Sequence, residues 1–106
     1  MKNKYSELSD FEINAHVAEK MDFHKYIINY SDNPSYNYVR VNDRTFDSCN
    51  NPSDAMPIII ENKISLVYVN NYWSARQFHN ACIEINDENP LRAAMIVFLM
   101  MRDEKK

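Results

Sequence analysis

The side chains able to do acid–base, nucleophilic or metal chemistry in this chain are few and scattered. His16, His24 and His79 stand far apart, and with Cys49 and Cys82 they show none of the short paired spacings that mark a zinc site. Cys49 precedes the start of an expected helix, where free amide ends would favour a thiolate. A small apolar thiol suits burial better, and burial is the expectation. Asp54, Glu61 and Glu88 supply carboxylates, yet nothing in their spacing brings two together, so they read as surface charge. No nucleophile–base pair, metal cluster or cofactor loop is readable. No catalytic, cofactor-binding or metal residue is therefore assigned, and the chain is not expected to be an enzyme.

The aromatic residues are more suggestive. Tyr36, Tyr38 and Arg40 would share one face of a strand, and Tyr26, Ile28 and Tyr30 one face of its neighbour. Such a platform could stack unpaired bases. It could equally cover a sheet or anchor a protein interface. With Trp73, the residues Tyr36, Tyr38 and Arg40 form the candidate interaction set. A net charge of −3 argues against a dedicated nucleic-acid binder, which is normally basic. Protein contact is the favoured functional reading, and single-stranded nucleic acid the alternative.

Composition bounds the rest. A chain of 106 residues fits one domain, 1–106, able to bury a core without staples. It contains no glycine, which removes the glycine-rich phosphate loops, the dinucleotide fingerprint and the serine nucleophile elbow. Left-handed turn positions must fall to asparagine or aspartate; Asn33, Asn42, Asn50, Asn51, Asn70, Asn71, Asn80 and Asn86 stand where turns are expected. The polar opening residues show no signal-peptide pattern, so both thiols are expected to stay reduced in a cytoplasm.

The elements that would position these residues begin with a helix over Asp10–Met21. Ser9 and Glu12 have capping-box spacing. Phe11, Asn14, Ala15, Val17, Ala18 and Met21 share one arc, with Ile13 at its edge, so either Asn14 finds a partner or the helix docks imperfectly. Tyr26–Tyr30 and Tyr36–Val41, split by Ser31–Ser35, read as a hairpin, and Asp43–Ser48 as a connector. A second helix opens at Asn51 and Pro52, with asparagine as cap and proline in the first turn. Its apolar face is Ala55, Met56, Ile58, Ile59 and Ile60, and Pro57 predicts an irregular first turn. Ile64–Val69 and Tyr72–Phe78 flank Asn70 and Asn71 as another hairpin, with a short strand at Ala81–Ile85. The last helix begins at Asn89 and Pro90. From Leu91 to Met101 only Arg92 is polar, so this helix must be surrounded, by its own domain or by a second copy. At roughly 16 Å it is too short to span a membrane. Arg92 would reach water from the helix end, or pair with Asp54 or Glu61 if the two Asn-Pro starts lie side by side. The residues after Met101 are expected in water. The sum is an α+β domain, a small α/β sandwich in the order α-ββ-α-ββ-α, with an antiparallel sheet of about four strands and three helices.

Three stretches carry a family resemblance: Tyr5–Asn14, Cys49–Asn62 and Glu88–Leu99, with Trp73 and Ala75 fitting a sparse pattern between. Together they resemble the NinX-like proteins of lambdoid bacteriophages. Met56 departs from that pattern, which has a tryptophan there. Residues 23–46 and 80–87 match it poorly. The resemblance implies a small phage-encoded protein made in the host bacterial cytoplasm and a compact α+β sandwich, and it brings no established activity or cofactor. The expected partner is a host or phage protein, with a homodimer as a further expectation.

Overall fold

A computed structural model describes residues 4–77 and 83–104. Helix α1 spans Asp10–Met21 as the periodicity predicts. Its capping box is closed: the Glu12 amide donates to Ser9 Oγ at 3.1 Å, and the Ser9 amide to Glu12 Oε1 at 2.9 Å. Strands β1 (Tyr26–Asn29), β2 (Tyr38–Val41) and β3 (Arg44–Thr45) follow, then helix α2 (Pro52–Glu61). Strands β4 (Ser65–Val69), β5 (Tyr72–Gln77) and β6 (Ile83–Asp87) precede helix α3, Pro90–Glu104.

The α+β class holds, but the sheet differs from expectation. Two antiparallel sheets of three strands each replace a single one of about four, in the orders β1-β2-β3 and β4-β5-β6. The connector at 43–48 contributes β3, because Asn42 and Asp43 take positive φ of 52° and 68° and turn the chain straight back on β2. The last strand runs on to Asp87, past the expected end at Ile85; Phe78, His79, Asn80, Ala81 and Cys82, which carried part of those expectations, lie outside the described residues. The chain thus reads as one helix followed by two runs of three strands and a helix. Asn51-Pro52-Ser53-Asp54-Ala55 and Asn89-Pro90-Leu91-Arg92-Ala93, both Asn-Pro-x-x-Ala, fall at the same point in the two runs.

Without glycine, the left-handed positions are filled as anticipated by Asp22, Asn42, Asp43, Asn70 and Asn71, with Lys63 the one unforeseen exception. Asn70 and Asn71, both at positive φ, form the two-residue turn joining β4 to β5.

Helix α3 is wrapped on all sides. No residue from Ala93 to Leu99 exposes more than 1% of its surface. It packs against α1, α2 and all three strands of the second sheet. Strand register turns Ala75, Ile83 and Ile85 inward, and these join the buried core. Helix α2 is less committed: it buries Ala55, Ile58 and Ile59, but Met56 and Ile60 face outward, Ile60 at 63% exposed. Pro57 sits inside a continuous helix rather than spoiling its first turn, because Asn51 still caps the Ser53 amide at 3.0 Å. The missing donor affects only the carbonyl four residues earlier.

The end of α3 also departs from expectation. Arg102 folds its guanidinium over the Phe98 ring at 4.9 Å. Asp103 accepts a hydrogen bond from the Tyr5 hydroxyl at 2.6 Å and an ion pair from Lys4 at 3.3 Å, tying the start of the chain to its last turn. Burial would raise the Asp103 carboxyl, but the Tyr5 hydroxyl and Lys4 outweigh it and hold it low. Burial, and then the Asp103 carboxylate, push the Tyr5 hydroxyl well above its ordinary 10.0. A folded value above the unfolded one gives stability that is complete below pH 10.0 and lost as pH rises beyond it. Chemical denaturation across this alkaline range should show the wild type losing stability more steeply than Tyr5→Phe. Parallel curves would remove the Tyr5–Asp103 link.

Candidate functional site

The three helices begin at the same place. Asn89 Oδ1 accepts from the Leu91 and Arg92 amides at 2.9 and 3.3 Å, capping α3. Its Nδ2 donates to the Cys49 carbonyl at 2.7 Å and to Asn50 Oδ1 at 3.2 Å, so the two Asn-Pro starts do lie side by side. Arg92 does not use that adjacency as expected. It turns instead to the start of α1: Nη1 donates to Asp10 Oδ1 at 2.7 Å, and Nη2 to the Leu8 and Ser6 carbonyls at 2.8 and 3.2 Å. Nε donates to Asp87 Oδ2 at 3.2 Å, while Asp87 Oδ1 accepts the Asn89 amide at 2.9 Å. Asp54 is occupied elsewhere, accepting the Asp47 amide at 2.9 Å, and Glu61 lies three turns along α2 and is exposed.

Asn14 completes the cluster. Its Oδ1 accepts from Ser48 Oγ at 3.1 Å and from the Cys49 amide at 3.0 Å, and its Nδ2 donates to Asp47 Oδ1 at 2.8 Å. The polar residue that the sequence placed on an apolar arc has partners for both its oxygen and its nitrogen, three hydrogen bonds in all. Electrostatics explain the acids here: three helix N-termini bring roughly half a positive charge each to one point, and Asp10, Asp47, Asp54 and Asp87 answer them.

The contacts of this cluster tie the three helix starts and the loop 47–51 together. Cys49 is buried, and its thiol lies 3.8 Å from the Asp10 carbonyl. Burial pushes that thiol far up, Asp10, Asp47 and Asp87 add to the rise, and Arg92 opposes it. The group stays a thiol, as its composition suggested. Among the described residues no three His, Cys, Asp or Glu side chains are placed to hold a metal.

The candidate interaction residues separate. Tyr36 is not on a strand: it ends a short 3-10 helix, Pro34–Tyr36, because Asn33 caps the Ser35 amide at 3.0 Å and Pro34 favours a helical start. It stands 66% exposed. Tyr38 and Arg40 do share the outer face of β2, with the Arg40 guanidinium 5.2 Å from the Tyr38 ring centre. Register sets Ile27 beside Arg40 and Asn29 beside Tyr38 on this face. Tyr26 and Ile28 pair instead with Val41 and Val39 on the opposite face, so the second aromatic trio does not extend the platform. Tyr30 meets Phe11 edge to face at 5.1 Å. Trp73 is half-buried, paired across the strand with Tyr68 at 5.3 Å on the other sheet, and remote in sequence from this face.

The hairpin tip is held firmly. Asn29 Nδ2 donates to the Tyr36 carbonyl at 3.1 Å, and the Ser31 amide to Asn37 Oδ1 at 2.6 Å. Ile27 also stands exposed; the sequence reading missed it because loose alternation hid the register.

The family model described as bacteriophage P22 NinX matches residues 4–102. No curated protein and no solved structure matches the chain. Among the described residues no helix is long and apolar enough to cross a membrane.

Arg92 is only 14% exposed, and its loss would leave Asp87 and two carbonyls without their donors. Since Asp10 retains 43% exposure, Arg92→Ala should cost about 3 kcal/mol, the low end for breaking a buried pair. Arg92→Lys should recover only a minority of this, because one ammonium cannot span four acceptors. Urea unfolding measures both, and a change under about 1 kcal/mol for Arg92→Ala would make the pairing a surface one.

Proposed function

The chain belongs to the family of bacteriophage P22 NinX, and on that premise we propose that it is a non-enzymatic protein-interaction module working in the cytoplasm of the infected bacterium. Its contact surface is the outer face and tip of the first sheet: Tyr36, Tyr38 and Arg40, with Ile27. The observation that supports this reading is a set of exposed large side chains on a tip fixed by Asn29, Asn33 and Asn37. A hairpin whose backbone is already fixed loses little main-chain freedom on binding, which favours an interface anchor. The partner is a host or phage protein, and a second copy of the chain is the other candidate.

Arg40 stacked on Tyr38 also supports a second reading, contact with single-stranded nucleic acid, where a base would extend the stack. One guanidinium beside two phenols is a small basic footprint for that task.

A tagged chain captured from cells during phage growth tests the first reading when run beside a triple variant, Tyr36→Ala, Tyr38→Ala and Arg40→Ala. These side chains are exposed, so the variant should fold. A set of proteins retained by the wild type and depleted about tenfold or more with the variant is the expected result. Identical recoveries would overturn it. Light scattering of both proteins separates self-association, and a salt-sensitive quenching of tyrosine fluorescence by a single-stranded oligonucleotide would transfer the surface to nucleic acid.

A further inference from the structure

A cleft of about 440 Å³ opens where the end of α1, the β2–β3 turn and α2 meet. That volume lies in the range of about 300–1,000 Å³ typical of small-molecule sites. Its apolar wall includes Met21, Phe23, Phe46 and Ile58, with the two phenylalanine rings edge to face at 5.5 Å. By register Arg44 sits opposite Val41, on the reverse side of the sheet from Tyr38 and Arg40, so the cleft is separate from the hairpin surface.

Charged residues of both signs line the cleft beside this wall. Arg44 lines the cleft and is exposed, and its guanidinium forms no hydrogen bond or ion pair with any described residue, its backbone alone being paired, with Val41. Its sequence neighbour Asp43 is engaged by Lys25 at 3.1 Å. Asp54 lines the same cleft and, among the described residues, is engaged through Oδ2 alone, by the Asp47 amide. Beside it, Pro57 has no N–H, so the Ser53 carbonyl lacks the donor a helix would give it. Ser53 and Pro57 both line the cleft. A cation, an apolar wall and two spare acceptors together fit a small zwitterion with a large apolar group.

We propose that this cleft binds a free amino acid bearing a large apolar side chain, its carboxylate at Arg44, its ammonium at Asp54 and the Ser53 carbonyl, and its side chain against Phe23 and Phe46. The binding is non-covalent and does not depend on the hairpin reading.

Amide-resolved NMR titration of the full chain with L-phenylalanine is the test, with phenethylamine (no carboxylate) and N-acetyl-L-phenylalanine (no ammonium) as companion probes. Saturable shifts at Phe23, Phe46 and Ile58 are expected with L-phenylalanine, and about tenfold weaker binding with each companion, the scale of one charge-assisted contact. Arg44→Ala, which removes an exposed and unpartnered side chain, should keep the fold and lose the preference for L-phenylalanine over phenethylamine. Ser53→Trp should fill the cleft and abolish the shifts. Absence of saturable shifts at millimolar L-phenylalanine, equal binding of all three probes, or an unchanged preference in Arg44→Ala would each overturn the proposal.

Discussion

Three helix starts pointing at one place are the constraint this structure has to meet. The unpaired amides of α1, α2 and α3 bring partial positive charge together, and four aspartates gather in reply. Left alone those acids would repel one another. Arg92 bridges Asp10 and Asp87 and satisfies the Ser6 and Leu8 carbonyls with the same planar fork. Asn89 and Asn14 then fasten the loop 47–51 to α3 and α1. Because these polar contacts fix where the helices begin, the apolar length of α3 can fill the interior without choosing among registers.

That division places the remaining freedom on the surface. The interior is occupied by α3, the helix starts by the polar cluster, and Cys49 by its own burial. Large side chains stand exposed on the pinned hairpin, at Tyr36 and Tyr38, on α2, at Met56 and Ile60, and on the second sheet, at Val67, Tyr68, Val69 and Tyr72. A small chain with no glycine builds rigid turns from asparagine side chains, and the same side chains hold the hairpin tip in one shape.

Much of the fold was legible. The all-apolar run after Pro90 required a surrounded helix, and Ser9 with Glu12 marked the first helix start. Asn14 on an apolar arc pointed to a buried polar contact, whereas the adjacency of the two Asn-Pro starts entered only as the condition for one pairing of Arg92. The rest needed three dimensions. Asp10 lies 82 residues from Arg92, and no local pattern links them, so the nearer-looking Asp54 drew the expectation. Strand β3 has two residues and no alternation to read. Tyr36 looked like a strand residue by composition, but Asn33 and Pro34 made a helical turn of it. Register, invisible in a loosely alternating hairpin, decided which tyrosines share a face.

The convergence of the helix starts depends on Arg92 and Asp10 acting as one unit. A double-mutant cycle of Arg92→Ala and Asp10→Ala, read by urea unfolding, measures that directly. The expected result is a coupling of about 1 kcal/mol or more, with the second substitution costing much less once the first is made. Strictly additive losses, within about 0.3 kcal/mol, would contradict it and leave the convergence of the helix starts to apolar packing alone.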